Sequence, residues 1–173
     1  MRHPAQFILS LLLALTLGAC SESNDAYTKT RSSHAPLIAN LESYISPAEA
    51  RTRLPANVVV VVASESKLEP GDPRPRFDWL ELSISGYTHL GLSGELVLRF
   101  FNERLVSTWF YPDSYDSYLK ALRRAGINIT AEEQSVGRYA DAWTSKDYRD
   151  RAYVAWADRR LTKENIRWIN RYS

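Results

Sequence analysis

Gly94-Glu-Leu-Val-Leu-Arg-Phe-Phe-Asn-Glu-Arg-Leu-Val-Ser-Thr-Trp-Phe-Tyr111 reads as two strands, Gly94 to Phe101 and Arg104 to Tyr111, turning near Asn102-Glu103. Val, Phe, Thr, Trp and Tyr, which suit a pleated and half-buried surface, crowd both arms. The register depends on the turn. Two turn residues set Leu96 opposite Trp109, three set it opposite Phe110, and the single step exchanges the faces of the second strand. The residues alone leave both open. Val97 and Leu98, then Phe100 and Phe101, are consecutive, so both faces of the first strand carry large apolar groups. Each face needs a cover, from the protein's own helices or from a partner.

Upstream of this hairpin, Trp79 to Ser85 alternates, with Leu80, Leu82 and Ile84 on one side, which predicts a half-buried strand. A connection from Gly86 to Gly91 carries Tyr87 and His89. Val58 to Val62 is an unbroken run of five β-branched residues, and it predicts a strand covered on both faces. Between them, Ser64 to Arg76 holds Pro70, Gly71, Pro73 and Pro75 and predicts a surface loop. Ser46-Pro47-Ala48-Glu49 forms a capping box ahead of a helix from Pro47 to about Leu54. The spacing of Leu37, Leu41, Tyr44 and Ile45 predicts another short helix over Pro36 to Tyr44.

Downstream, Asp113 stands where it would cap a helix from Ser114 to Ala125, with Tyr115, Tyr118, Leu119 and Leu122 along one stripe and Gly126 as terminator. Ile127 to Ile129 reads as a short strand, and Thr130 to Asp150 is polar and unassigned. Ala152 to Ala157 reads as a strand. Thr162 is expected to cap a closing helix to Arg171, with Ile166 and Ile169 facing inward and Leu161 as a hydrophobic staple. The expectation is one α+β domain over residues 36 to 173, a largely antiparallel sheet of four to five strands covered by helices. The capped helices followed by a strand meander are loosely similar to small lipoproteins of the β-barrel assembly machinery, through no specific motif.

The first twenty residues carry a separate message. Arg2 precedes an apolar run from Phe7 to Leu17, broken only by Ser10 and Thr16, and Gly18 and Ala19 lead to Cys20. This is the pattern of a secretory signal, and at about eleven residues the run is shorter than the roughly twenty a bilayer crossing requires. Leu17-Gly18-Ala19-Cys20 resembles the lipobox of bacterial lipoproteins. That resemblance implies cleavage between Ala19 and Cys20, a cleaved signal over 1 to 19, and an acylated Cys20 that holds the chain to a lipid bilayer. Ser21, rather than Asp, beside the Cys implies the outer membrane, with the domain facing the periplasm. Ser21 to Ala35 is polar apart from Tyr27 and is expected to be a flexible tether, completing the acylated segment 20 to 35.

Composition narrows the function. Cys20 is the only cysteine, which leaves no disulfide and no thiolate metal site. The 22 Lys plus Arg and 20 Asp plus Glu nearly balance, which argues against nucleic acid as partner. His89 is the lone histidine of the expected domain, so a two-histidine metal site is excluded there. No Gly-x-Ser-x-Gly elbow or glycine-rich phosphate loop is present. No cofactor is expected. The residues favour a non-enzymatic envelope module that binds another envelope protein or a cell-wall glycan, with Trp109, Phe101, Tyr87 and His89 as candidate surface. The competing expectation is a glycan hydrolase built on Asp113 with Asp116, Glu132 with Glu133, or Asp147 with Asp150.

Overall fold

The central hairpin closes through two residues, Asn102 and Glu103, with φ of 49° and 61° in a computed structural model that describes residues 24 to 173. A positive φ at both turn positions matches the twist of the flanking strands. Asn102 is fixed there by its own side chain. Its amide donates to the carbonyls of Tyr27 and Arg76 at 2.8 and 3.0 Å, and its Oδ1 accepts from the Asp78 amide at 2.7 Å. Phe100 pairs with Leu105, yet Arg99 pairs with Ser107, so Val106 is an extra residue in the second arm. This bulge slips the register by one and sets Leu96 opposite Phe110 and Val97 opposite Trp109. The turn therefore has two residues while the register is the one expected of three.

Seven strands form one sheet: β1 (Val59–Lys67), β2 (Asp78–His89), β3 (Leu92–Phe101), β4 (Arg104–Pro112), β5 (Gln134–Ser135), β6 (Ala140–Lys146) and β7 (Ala152–Asp158). Their spatial order is β1-β2-β3-β4-β7-β6-β5, with every neighbour antiparallel. Among the described residues, three α-helices accompany the sheet: α1 (Pro47–Thr52), α2 (Tyr115–Arg124) and α3 (Arg159–Tyr172). The α+β class holds, and the sheet exceeds the expected four to five strands. The surplus comes from the polar stretch after Thr130, where short β5 and alternating β6 carry too little apolar surface to announce themselves.

The two faces are covered unequally. Leu82, Ile84, Leu96, Leu98, Phe100, Phe110, Val154 and Trp156 form the main core, closed by Tyr118 and Leu122 of α2 and by Leu37, Ile38, Leu41 and Ile45. On the opposite face, Phe101 and Val106 lie under Leu161 and Trp168 of α3, joined by Tyr27 and Tyr44. The paired Phe100 and Phe101 are thus answered by two separate cores.

Several expectations are corrected. Pro36 to Tyr44 is a tight turn, with the Leu37 amide donating to the Leu41 carbonyl at 2.9 Å and Ala39 at φ 53°; Leu37 and Leu41 still point inward, because a turn satisfies the same spacing. Ser114 occupies the N-cap of α2 in place of Asp113, and Ile127 to Ile129 form no strand. Asp158 caps α3 in place of Thr162, accepting from the Arg160 and Leu161 amides. That earlier start turns Leu161 and Trp168 inward and leaves Ile166 and Ile169 outside. β1 is an edge strand, so the valine run is open: Val59, Val61 and Val62 are 62, 51 and 54% exposed. Within the segment expected as tether, Tyr27 is buried against the rings of Phe101 and Tyr172 at 6.5 and 6.3 Å and Ala35 is buried too, while residues 29 to 32 are exposed. Cys20, Ala19 and the signal lie outside the described residues.

Candidate functional site

β-Strand alternation places Val61, Ser83, Val97, Trp109, Ala155 and Trp143 in one row across six strands, on the face shared with α3. α3 covers the end of that face near Phe101. Around the row, the buried cluster of Val97, Tyr111, Tyr153 and Ala155, with Trp109 and Trp143 packed on it, includes no helix residue.

The side chains cover themselves by stacking. The Arg99 guanidinium sits 4.7 Å from the Trp79 ring centroid and 4.0 Å from that of Trp109. Trp109 lies parallel to Tyr153 at 4.6 Å and 11°, Tyr153 meets Tyr111 at 5.2 Å, and Arg151 closes the row 4.4 Å over Tyr111. Each such contact contributes about 0.5 to 1.5 kcal/mol beyond burial. Glu81 accepts from Arg99 Nε at 2.8 Å and from Trp79 Nε1 at 3.2 Å. Glu95 accepts from Ser83 and from Arg151, both at 2.6 Å. Burial alone would raise the Glu95 carboxyl, but these two donors outweigh it and hold it below the usual carboxylate range. Burial, with the charge of Asp147, pushes the Tyr111 phenol up.

The layer pairs its two acids, Glu81 and Glu95, with guanidinium, indole and hydroxyl donors. Both faces of the Trp109 indole are occupied, by Arg99 and Tyr153, so a sugar ring has no free face there to stack on. Its Nε1 is enclosed without an acceptor. A cleft of about 270 Å³, lined by Phe77, Trp79, Arg99, Asn165 and Ile169 among others, separates the layer from α3.

Of the candidate surface residues, Trp109 alone belongs to this layer, and it is half-buried. Phe101 lies in the core under α3, and Tyr87 lies in the main core edge-on to Phe110 at 6.1 Å, so neither offers a surface. His89 Nδ1 is 2.5 Å from the Tyr118 hydroxyl, and its ring sits edge-on to Phe110 and Trp156, each at 6.1 Å. Arg99, Tyr111, Tyr153 and Arg151 escaped the sequence reading. Their signal was alternation within β3, β4 and β7, which becomes a shared face only once the Val106 bulge fixes the register.

Burial pushes the His89 imidazole down, so the folded state resists the proton that the unfolded chain accepts near pH 6.5. Stability from this group is complete above that pH and is lost as pH falls through the window below it. Thermal melts between pH 7 and 5 should show a decline that His89→Gln flattens; an equal decline in both chains would contradict this role.

The three carboxylate pairs do different things. Asp113 and Asp116 are exposed at the start of α2. Asp147 holds the β6–β7 turn by accepting from the Arg149 and Arg151 amides at 2.8 and 3.0 Å, while Asp150 is exposed. Glu133 partners Asp141 instead of Glu132; partial burial and that hydrogen bond push its carboxyl up, and Arg159 clamps Asp141 at 2.6 Å. A hydrogen-bonded pair is closer than the roughly 5 to 10 Å that glycoside hydrolysis uses. Among the described residues, no three His, Cys, Asp or Glu side chains are placed to hold a metal ion, and no helix is long and apolar enough to cross a membrane.

Compared with models of known protein families, the chain matches none, and no curated protein matches its sequence.

Proposed function

We propose that this chain is an envelope lipoprotein, anchored through acylated Cys20, whose folded domain is a non-enzymatic binding module for another protein. The observation that carries the reading is the helix-free half of the sheet, where Trp79, Arg99, Trp109, Tyr153, Tyr111 and Arg151 form one continuous stack. Aromatic and arginine side chains held rigid on a flat face are the groups that dominate protein interfaces, because little side-chain entropy remains to be lost on binding. A protein partner suits this face better than a glycan, since the central Trp109 indole already stacks on Tyr153 and against Arg99. The lipobox supports the address, and the outer membrane facing the periplasm is the location it favours.

The test uses the rim of the layer, where truncation spares the cores. Trp143→Ala and Arg151→Ala should each weaken capture of a partner from detergent-solubilised envelopes by about 2 kcal/mol, while costing less than about 1 kcal/mol of stability. Capture that survives both changes would remove the layer from the binding role. The same variants scored by urea melts separate loss of binding from loss of fold.

A further inference from the structure

Helix α3 exposes two isoleucines, of which Ile169 also borders the cleft toward Trp79 and Arg99. Ile166 and Ile169, less than one turn apart, are 50 and 42% exposed. Lys163, Arg167, Asn170 and Arg171 around them are exposed as well. The only acid in the helix, Glu164, is turned the other way, 3.0 Å from Arg104 and 3.7 Å from Arg31. The outer face therefore sets an apolar pair beside a cationic flank of Lys163, Arg167 and Arg171, with Glu133 and Asp141 across the groove from Ile166. An apolar pair with cations beside it is the composition of a helix lying in the interface of a bilayer with anionic headgroups.

The first described residues, Asn24 to Tyr27, abut α3, and the Tyr27 ring meets that of Tyr172 edge-on at 6.3 Å. Cys20 precedes Asn24 by four residues, which span at most about 14 Å when fully extended. Acyl chains on Cys20 would enter the membrane within that distance of Asn24, and the segment that follows packs on the Glu164 and Arg160 flank of α3.

We propose that the outer face of α3 rests on the phospholipid surface as a second contact beside the anchor. Ile166 and Ile169 enter the boundary between headgroups and acyl chains, and Lys163, Arg167 and Arg171 meet anionic headgroups. This rests on the acylation of Cys20 proposed above. α2, on the opposite face of the sheet, is turned toward water. The aromatic and arginine layer, which shares a face with α3, then looks toward the bilayer from about one helix diameter, ~10 Å. Its protein partner is accordingly one seated at the membrane surface.

The experiment uses the mature, acylated chain in vesicles of phosphatidylethanolamine and phosphatidylglycerol. Acylation consumes the Cys20 thiol, so Ile169→Cys supplies a unique site for a fluorophore, and Lys120→Cys on α2 supplies the control. Nitroxide-bearing lipids should quench the label at position 169 at least about twofold more than the label at 120, and Ile166→Glu in the same chain should abolish the difference. Equal quenching at the two positions would overturn the proposal. So would a label at 169 that is shielded from aqueous quenchers yet untouched by the lipid nitroxides, since a protein would then cover the helix. Intact mass of the same sample reads the anchor separately: an acylated chain with an unquenched label refutes only the α3 contact, whereas a chain without acyl groups brings down both.

Discussion

Asp158→Asn is expected to cost about 3 to 5 kcal/mol of unfolding free energy, read as a lower urea midpoint with an unchanged slope. Asp158 is fully buried where β7 hands over to α3. Its Oδ1 accepts from the Arg160 amide at 2.8 Å and from Arg160 Nε at 3.0 Å; its Oδ2 accepts from the same guanidinium at 2.5 Å and from the Ser43 hydroxyl at 2.7 Å. Burial alone would raise this carboxyl, but the Arg160 side chain, the Ser43 hydroxyl and the Arg160 amide together hold it below its ordinary value. An amide of the same size keeps the shape, removes the charge and strands a guanidinium that is itself mostly buried. The loss reaches beyond the helix cap, because Ser43 also accepts from the Ala35 amide at 2.8 Å and so carries the bond into the N-terminal segment. With the carboxyl lowered in the fold, its contribution is present above about pH 4 and disappears as pH falls through the folded value. Wild-type stability should therefore fall more steeply than that of Asp158→Asn below pH 4. A loss under about 1 kcal/mol would mean that water replaces these bonds and the site is not closed.

Arg104→Met should cost a similar ~3 to 5 kcal/mol and, in addition, release a defined piece of chain. The Arg104 side chain is almost wholly buried and donates to the carbonyls of Tyr27, Lys29 and Phe101, while pairing with Glu164 at 3.0 Å. Methionine fills much of the stem's volume but leaves the Lys29 and Phe101 carbonyls without this donor and Glu164 without its nearest cation. Limited proteolysis of the wild type should spare residues 24 to 35, and the variant should be cut there first. Equal resistance in both chains would show that Tyr27 packing and the Asn102 bond to its carbonyl suffice on their own.

These two side chains illustrate what the sequence could and could not disclose. Alternation in Trp79 to Ser85, the helical stripe of Tyr118 and Leu122 and the capping box at Ser46 are local patterns, and each stands in the structure where its period put it. The capping box is complete, with Glu49 accepting from the Ser46 amide at 2.7 Å and the Ser46 hydroxyl from the Glu49 amide at 3.2 Å. Asp158 and Arg104 act through partners 115 and 77 residues away, and no local period records such a distance. Tyr27 misled for the same reason. A lone aromatic in a polar stretch looks like tether until the Asn102 turn and the Arg104 guanidinium both reach for its carbonyl. The open valines of β1 show the opposite failure, because a five-residue β-branched run does not state whether its strand ends up central or at the edge. The aromatic and arginine layer was legible only in one member, Trp109, since the bulge at Val106 decides which residues share its face.

The proposed role depends on the anchor, and intact mass spectrometry of the chain purified from envelope membranes tests it most directly. The expected mature chain begins at Cys20, with the mass of a diacylglyceryl group on its sulfur and fatty acid released by lipase or alkaline hydrolysis. A mature chain that begins elsewhere, or one that begins at Cys20 with a free thiol and no added lipid mass, would contradict the anchor.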